Sequence, residues 1–87
     1  MDEMLNSLIV NVREMMAKRE LRECEKIIRQ AMSDYPDNAI PHNLMGLLYE
    51  KKGEHLGAMK HFRAAWALDP SYHPALMNLD SFGTLFS

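Results

Sequence analysis

Residues 43–70 read NLMGLLYEKKGEHLGAMKHFRAAWALDP, and the rest of the chain is organised around them. Their apolar residues recur every three or four positions on both sides of Gly53, which is the spacing of an amphipathic helix. These residues are Leu44, Leu47 and Leu48 before the glycine, and Leu56, Met59, Phe62, Ala65 and Trp66 after it. Gly53 can adopt the left-handed conformation that ends a helix, and Lys51 and Lys52 suit the negative end of the first one. The segment therefore predicts two helices joined by a tight turn.

The same residues resemble the tetratricopeptide repeat, a 34-residue helix-turn-helix unit with the pattern Trp-x2-Leu-Gly-x2-Tyr, then Ala-x3-Phe, then Pro. The matching positions are His42, Met45, Gly46, Tyr49, Ala58, Phe62 and Pro70. All have the required separations, and only His42 and Met45 depart from the preferred residue type. In this pattern Gly46 and Ala58 are small where two helix backbones approach, and Phe62 fills space between the helices. The resemblance implies an all-α fold of antiparallel helix-turn-helix repeats, arranged as a right-handed α-solenoid.

The resemblance implies that residues 1–87 form a single domain. A degenerate repeat spans residues 5–38, a well-matched repeat spans residues 39–72, and residues 73–87 form a capping helix and tail. Helical spacing and turn residues predict five helices and no strand, with turns near Arg19, Asp37, Gly53 and Pro70. The predicted helices run from Met4 to Ala17, Leu21 to Ser33, the N-cap Asn38 to Lys52, Glu54 to Leu68, and Tyr72 or His73 to Gly83.

The first repeat departs from the pattern in its first helix. Val12 and Arg19 stand where the second repeat has Gly46 and Gly53. A residue with a Cβ atom is strained in the left-handed conformation that glycine adopts freely. We therefore expect a less relaxed turn at Arg19. An atypical outer unit is typical of the end of a repeat array.

Composition indicates a soluble globular protein, with 47% hydrophobic and 25% charged residues. No apolar run approaches the roughly 20 residues of a membrane span, and the acidic start is unlike a secretory signal. We therefore predict a cytoplasmic location and no membrane binding. The net charge of −2 argues against nucleic acid as a partner. The single cysteine, Cys24, excludes an internal disulfide, and it occupies the small-residue position of the repeat, so we interpret it as a buried packing residue.

Motifs for catalysis and metal binding are absent, including phosphate loops, nucleophile elbows and paired cysteines. We therefore predict no enzymatic activity, no cofactor and no metal. His55 and His61 are separated by about 600° of helical rotation, which places them on opposite faces of one helix. His42 and His55 occupy positions where the repeat family prefers an aromatic residue. We interpret both as rings packed between helices.

For function, the resemblance implies protein binding. Tetratricopeptide domains are interaction scaffolds whose first helices line a concave groove, which binds an extended peptide or a partner helix. Carried over to this chain, the groove consists of Ile9, Arg13, Met16, Asn43, Leu47, Glu50, Met77 and Ser81. Asn43 is a candidate reader of a peptide backbone, since its amide can both donate and accept hydrogen bonds. No feature of the sequence identifies the protein or peptide partner.

One subfamily of these domains clamps the C-terminal carboxylates of heat-shock chaperones with Lys and Asn, then Asn, then Lys and Arg on three successive first helices. The corresponding positions here hold, in the same order, Ile9, Arg13, Leu44, Pro74 and Asn78, and none has the type required at its position. We therefore expect no chaperone-tail binding of that kind, although Arg13 alone could meet an acidic group.

An alternative function is a structural unit that associates with itself or forms one piece of a longer array. Two repeats and a cap fall short of the three or more that usually build a continuous core. Phe82, Leu85 and Phe86 form an apolar cluster of the kind that usually marks a contact. They predict a weak homo-oligomer. The competing interpretation is that the tail folds back over the fourth helix and leaves the chain monomeric.

Overall fold

The computed structural model describes residues 2–83, which form five α-helices and, within that range, no strand. The helices are α1 (Glu3–Ala17), α2 (Leu21–Asp34), α3 (Ala39–Lys51), α4 (His55–Leu68) and α5 (His73–Gly83). The predicted all-α fold with five helices is confirmed for this part of the chain, and the helix ends agree with the predicted ones to within one residue. None of these helices combines the length and hydrophobicity needed to cross a lipid bilayer.

Two of the helices begin at a side-chain cap. Oδ1 of Asp2 accepts a hydrogen bond from the Met4 N–H at 2.8 Å, and Oδ1 of Asn38 accepts one from the Ile40 N–H at 2.9 Å. Each cap satisfies a backbone donor that the first turn of a helix leaves without an intrahelical partner. The predicted N-cap role of Asn38 is confirmed.

The α1–α2 and α3–α4 turns close with the same hydrogen bonds but with different residues at the left-handed position. After α1, the N–H groups of Arg19 and Glu20 donate to the carbonyls of Met16 and Met15 at 3.0 and 2.9 Å. After α3, those of Gly53 and Glu54 donate to the carbonyls of Glu50 and Tyr49 at 3.0 and 2.8 Å. This is the Schellman arrangement. The left-handed residues are Arg19, with φ of 58°, and Gly53, with φ of 76°.

Helix α3 lies at the centre of the described structure. Each helix packs against the next one in the chain, and α3 also contacts α1 and α5. Eight of its 13 residues are buried, which is the pattern of a helix that is covered on most sides. As a result α3 contributes side chains both to the core and to the surface between α1 and α5.

The core extends from α1 and α2 across α3 to α4. Its fully buried side chains include Val12, Cys24, Ile28, Met45, Leu48 and Phe62. Gly46 allows α4 to approach α3, because the Phe62 ring occupies the space that a side chain at position 46 would need. The prediction that Gly46 and Phe62 mark a close helix contact is confirmed.

Helical spacing predicts Leu56 and Trp66 on the inward face of α4, and it predicts Leu76 on the inward face of α5. All three are exposed instead: Leu56 by 81%, Trp66 by 45% and Leu76 by 38%. Leu56 is two residues from the buried Ala58, or about 200° around the helix, so the two cannot face α3 together. Within residues 2–83 only α3 and α5 pack against α4, and Ala75 is the only buried residue of α5. The outer sides of Trp66 and Leu76 therefore stay uncovered in residues 2–83.

Candidate functional site

An open cleft of about 570 Å³ lies where α1, α3 and α5 meet. Its lining residues are Ile9, Arg13, Asn43, Leu44, Leu47, Tyr72, Pro74, Met77 and Asn78. Most of them are apolar, two are amides and one is a cation. Helix α3 supplies the floor because its neighbours α1 and α5 stand on either side of it. A volume in this range is typical of ligand sites in proteins.

An amide pair joins two of the helices that line the cleft. Nδ2 of Asn78 donates a hydrogen bond to Oδ1 of Asn43 at 2.9 Å, and Asn43 is only 3% exposed. The bond fixes both amide planes, and it leaves the Asn43 NH₂ group as a donor and the Asn78 carbonyl as an acceptor. Within residues 2–83 no buried side-chain nitrogen or oxygen lacks a hydrogen-bond partner. The bond therefore holds the two amides in place, and the Asn43 NH₂ group and the Asn78 carbonyl take no part in it.

Arg13 supplies the positive charge of the cleft. Its guanidinium is exposed, and none of the ion pairs between described residues involves it. Burial raises the pKa of the Tyr72 phenol, and the charge of Arg13 opposes that rise. None of the cleft-lining residues is acidic. The cleft thus presents, beside apolar walls, a cation that has no ion-pair partner among residues 2–83.

The structure brings together five of the eight residues expected in the groove, namely Ile9, Arg13, Asn43, Leu47 and Met77. The other three lie elsewhere.

Met16 is 7% exposed and belongs to the core, because it continues the stripe of Leu8 and Val12 on the buried face of α1. Glu50 is bonded to His55, with the Nδ1–Oε1 distance at 3.2 Å. Ser81 is exposed on α5 and is not among the residues that line the cleft.

Four lining residues were not among those expected in the groove: Leu44, Tyr72, Pro74 and Asn78. The 34-residue repeat offset pairs Asn43 with Met77. The structure instead bonds Asn43 to Asn78, one residue further along. A one-residue change moves a helical side chain by about 100°, so the offset alone could not identify this partner. The resemblance matches Leu44, Pro74 and Asn78 to the clamp positions of the carboxylate-binding subfamily, and that match was the signal that could have pointed to them.

Three of the four histidines lie in two separate places. His55 is half-buried and its Nδ1 is 3.2 and 3.3 Å from the two carboxylate oxygens of Glu50. His61 does not share a face with His55 and instead meets His42 of α3, with 3.2 Å between their Nδ1 atoms. His42 is half-buried at the α3–α4 contact, as expected for a ring packed between helices. Among residues 2–83 no group of three or more His, Cys, Asp or Glu could hold a metal ion.

Of the residues expected to mediate self-association, Phe82 is half-buried. Its ring lies 5.7 Å from that of Phe62, centroid to centroid, with 11° between the planes. It therefore makes a contact within the chain. Leu85 and Phe86 lie outside the described residues.

The chain has no significant match among models of protein families, curated protein sequences or solved structures. Its function must therefore be inferred from its own geometry.

Proposed function

We propose that this protein is an interaction module that binds an extended peptide segment in the cleft between α1, α3 and α5. The observation that carries the proposal is the Asn43–Asn78 pair. An extended backbone offers alternating N–H and C=O groups, and the amide pair carries both donors and acceptors that its own bond does not use. Because the bond between the amides holds both in place, little side-chain entropy is lost when a peptide binds.

The rest of the lining defines the chemistry of the peptide. Ile9, Leu47 and Met77 offer apolar surface, and Met77 is 65% exposed. A methionine side chain is flexible and can adapt to different apolar partners. Arg13 favours a carboxylate, and no acidic side chain lines the cleft to compete with it. We therefore propose a partner segment that carries an acidic side chain next to an apolar one.

The resemblance to tetratricopeptide repeats supports the same function, since that family binds peptides along its first helices. Membership of that family and a repeat arrangement of the helices are part of this proposal. The expectations of a cytoplasmic location, no nucleic-acid binding and no enzymatic activity remain predictions.

The proposal can be tested by selecting binders to the full chain from a random peptide library and measuring their affinities by calorimetry. We expect the selected peptides to share an acidic residue beside an apolar one. They should also shift the amide side-chain NMR signals of Asn43 and Asn78. Selection of no peptide, or signal changes only outside the cleft, would contradict the proposal.

Matched variants locate the binding site. The double change Asn43→Leu and Asn78→Leu removes both amides, and replacing both partners of a bond is nearly neutral for stability. We expect it to weaken binding about tenfold or more, because a tenfold change corresponds to about 1.4 kcal/mol. Arg13→Gln should weaken binding and reduce its dependence on salt. Arg22→Gln, on the exposed side of α2, is the control and should bind as the parent protein does.

The second candidate, self-association, is favoured by the exposure of Trp66 and Leu76 near the end of the described chain. Burying such a side chain contributes roughly 1.5–3 kcal/mol. Sedimentation equilibrium of the full chain should then show a mass that rises with concentration, and Trp66→Gln should reduce that rise. A constant monomer mass would exclude this second candidate and leave peptide binding unaffected.

A further inference from the structure

Two histidines from neighbouring helices meet at the α3–α4 contact. Nδ1 of His42 lies 3.2 Å from Nδ1 of His61, while the ring centroids are 5.4 Å apart and the planes differ by 26°. Because the nitrogens are much closer than the centroids, the rings meet edge to edge with their Nδ1 corners facing each other. Both rings are half-buried, and the centroid of the Tyr49 ring lies 5.3 Å from the centroid of the His61 ring.

This arrangement places one proton between the rings. In a neutral imidazole one nitrogen donates and the other accepts, so one histidine donates its Nδ1–H to the Nδ1 lone pair of the other. A first added proton occupies the free Nε2 of the donor ring and leaves the hydrogen bond intact. A second added proton must occupy the accepting Nδ1, where two N–H groups would then face each other. The contact therefore tolerates one positive charge and is broken by two.

The groups around the pair do not offset such a charge. Arg29 of α2 is close enough to act on His61, and Nζ of Lys52 lies 5.6 Å from the centre of the Tyr49 ring. Glu25 is engaged with both cations, at 2.9 Å from Arg29 and 3.1 Å from Lys52. Within residues 2–83 no carboxylate bonds to either imidazole. A second proton on the pair would thus be added in a partly buried and cationic environment.

The titration of both rings is displaced in the same direction. Burial lowers the pKa of His42, and burial lowers that of His61 as well, with smaller contributions from the charges of His42 and Arg29. The folded protein therefore favours the neutral rings. The contribution of the two neutral rings to the free energy of unfolding is fully present above the ordinary histidine pKa of about 6.5. It is lost as the pH falls below that value and through the lowered pKa values of the two rings in the folded protein.

The geometry does not suit a metal ion shared by the two rings. An ion on the line between the Nδ1 atoms would need a separation of about 4 Å, twice the usual Zn–N distance of about 2.0–2.1 Å. The two Nδ1 atoms also face each other instead of converging on a third position.

We propose that the His42–His61 pair makes the packing of α3 against α4 sensitive to acid: the two helices stay in contact while the pair carries at most one added proton, and they loosen when it takes up a second. No carboxylate is needed for this response, because among residues 2–83 each imidazole is hydrogen-bonded only to the other.

An NMR titration of the wild-type chain tests the proposal directly, by following all four histidines from about pH 8 to about pH 4. The reference is the ordinary histidine value of about 6.5. We expect His42 and His61 to titrate below that value and in two separate steps, as coupled groups do. A single common midpoint of the two rings at the ordinary value would overturn the proposal.

A variant distinguishes destabilisation by protonation of the histidine pair from the destabilisation that acid causes through other groups. In His61→Asn the side-chain amide lies at the level of Nδ1 and can donate or accept by rotating, so it tolerates either protonation state of His42. His73→Asn is the matched control, because it removes an exposed histidine. Between about pH 7.5 and about pH 5.5, we expect the urea midpoint of His61→Asn to fall by about half as much as that of the wild type or the control. Equal falls in all three proteins would contradict the proposal. Should His61→Asn fail to fold, the wild-type titration decides alone.

Discussion

Gly46 of α3 and Phe62 of α4 share one space: a Cβ atom added to Gly46 would lie only 2.6 Å from Cδ1 and 2.9 Å from Cζ of the Phe62 ring. Phe62 is fully buried, so its ring has no free space to move into. The contact sets the approach of the two helices that also carry the histidine pair.

Gly46→Leu should therefore destabilise the fold. Overpacking a core contact costs about 1–3 kcal/mol, while the better helix propensity of leucine contributes less than about 1 kcal/mol in return. We expect a net decrease in the free energy of unfolding, measured by urea denaturation. Ala67→Leu, on the exposed face of α4, is the control and should change little. Equal stability of the two variants would show that α3 and α4 do not pack as described.

The two Schellman turns predict opposite effects of exchanging their left-handed residues. Arg19 has φ of 58° and Gly53 has φ of 76°, and the left-handed conformation costs a residue with a Cβ atom about 1–2 kcal/mol. Arg19→Gly should stabilise the fold by relieving this strain. The greater freedom of glycine in the unfolded chain should offset about 0.4–1 kcal/mol of that gain. The melting temperature should therefore rise slightly. Gly53→Arg should lower the stability by about 1 kcal/mol.

The control for this pair is Lys18→Gly, one residue before Arg19. Lys18 has φ of −86°, so glycine relieves no strain there and only adds freedom to the unfolded chain. This variant should be less stable than the parent. If Arg19→Gly were destabilised as much as Lys18→Gly, the left-handed conformation of Arg19 would not cost the free energy expected for it.

Cys24 should be protected from thiol reagents in the native protein. Its side chain is fully buried, with Sγ 3.9 Å from the Val12 carbonyl oxygen, and desolvation raises the pKa of the thiol. Because the thiolate is the reactive form, both effects slow alkylation. We expect rapid labelling in urea and slow labelling in buffer, followed by mass spectrometry. Comparable rates in both conditions would place Cys24 at an accessible site.

Glu25 links α2 to the end of α3 through Lys52. Hydrogen bonds from Lys52 and then Arg29 lower the pKa of the Glu25 carboxyl, whose side chain is 26% exposed. Its contribution to stability is therefore present above the ordinary Glu pKa of about 4.3 and is lost as pH falls through the lower folded value. At neutral pH Glu25→Gln should lower the free energy of unfolding by about 0.5–1 kcal/mol, and less at high salt.

Glu23→Gln is the matched control for this prediction. Glu23 pairs with Lys26 at 3.8 Å, and both side chains are mostly exposed, so the change should have almost no effect. If Glu23→Gln lowered the free energy of unfolding as much as Glu25→Gln does, the ion pair between Glu25 and Lys52 would contribute no more than an exposed pair within one helix.

The sequence by itself determined the features that depend on neighbours along the chain. Apolar spacing identified the five helices, the Asn38 side chain could be recognised as a cap, and Gly53 could be recognised as the left-handed end of α3. The close helix contact at Gly46 and Phe62 could also be predicted, because the repeat pattern that the chain resembles has a small residue at the first position and a large one at the second. The helices, the cap and the left-handed turn follow from backbone conformation and helical period, which each segment carries within itself. The Gly46–Phe62 contact could be predicted only through the resemblance.

Only the tertiary structure decided how each helix is rotated about its axis and which side chains meet across helices. Spacing predicted Leu56 and Trp66 as buried, yet they are exposed, because the period describes an apolar stripe but not which neighbours cover it. The Asn43–Asn78 bond is one residue away from the repeat offset, and His61 is bonded to His42 of the preceding helix. Such contacts depend on rotations of about 100° per residue and on the close approach of α3 to α4. Local sequence does not contain that information, since it is set by the packing of all five helices together.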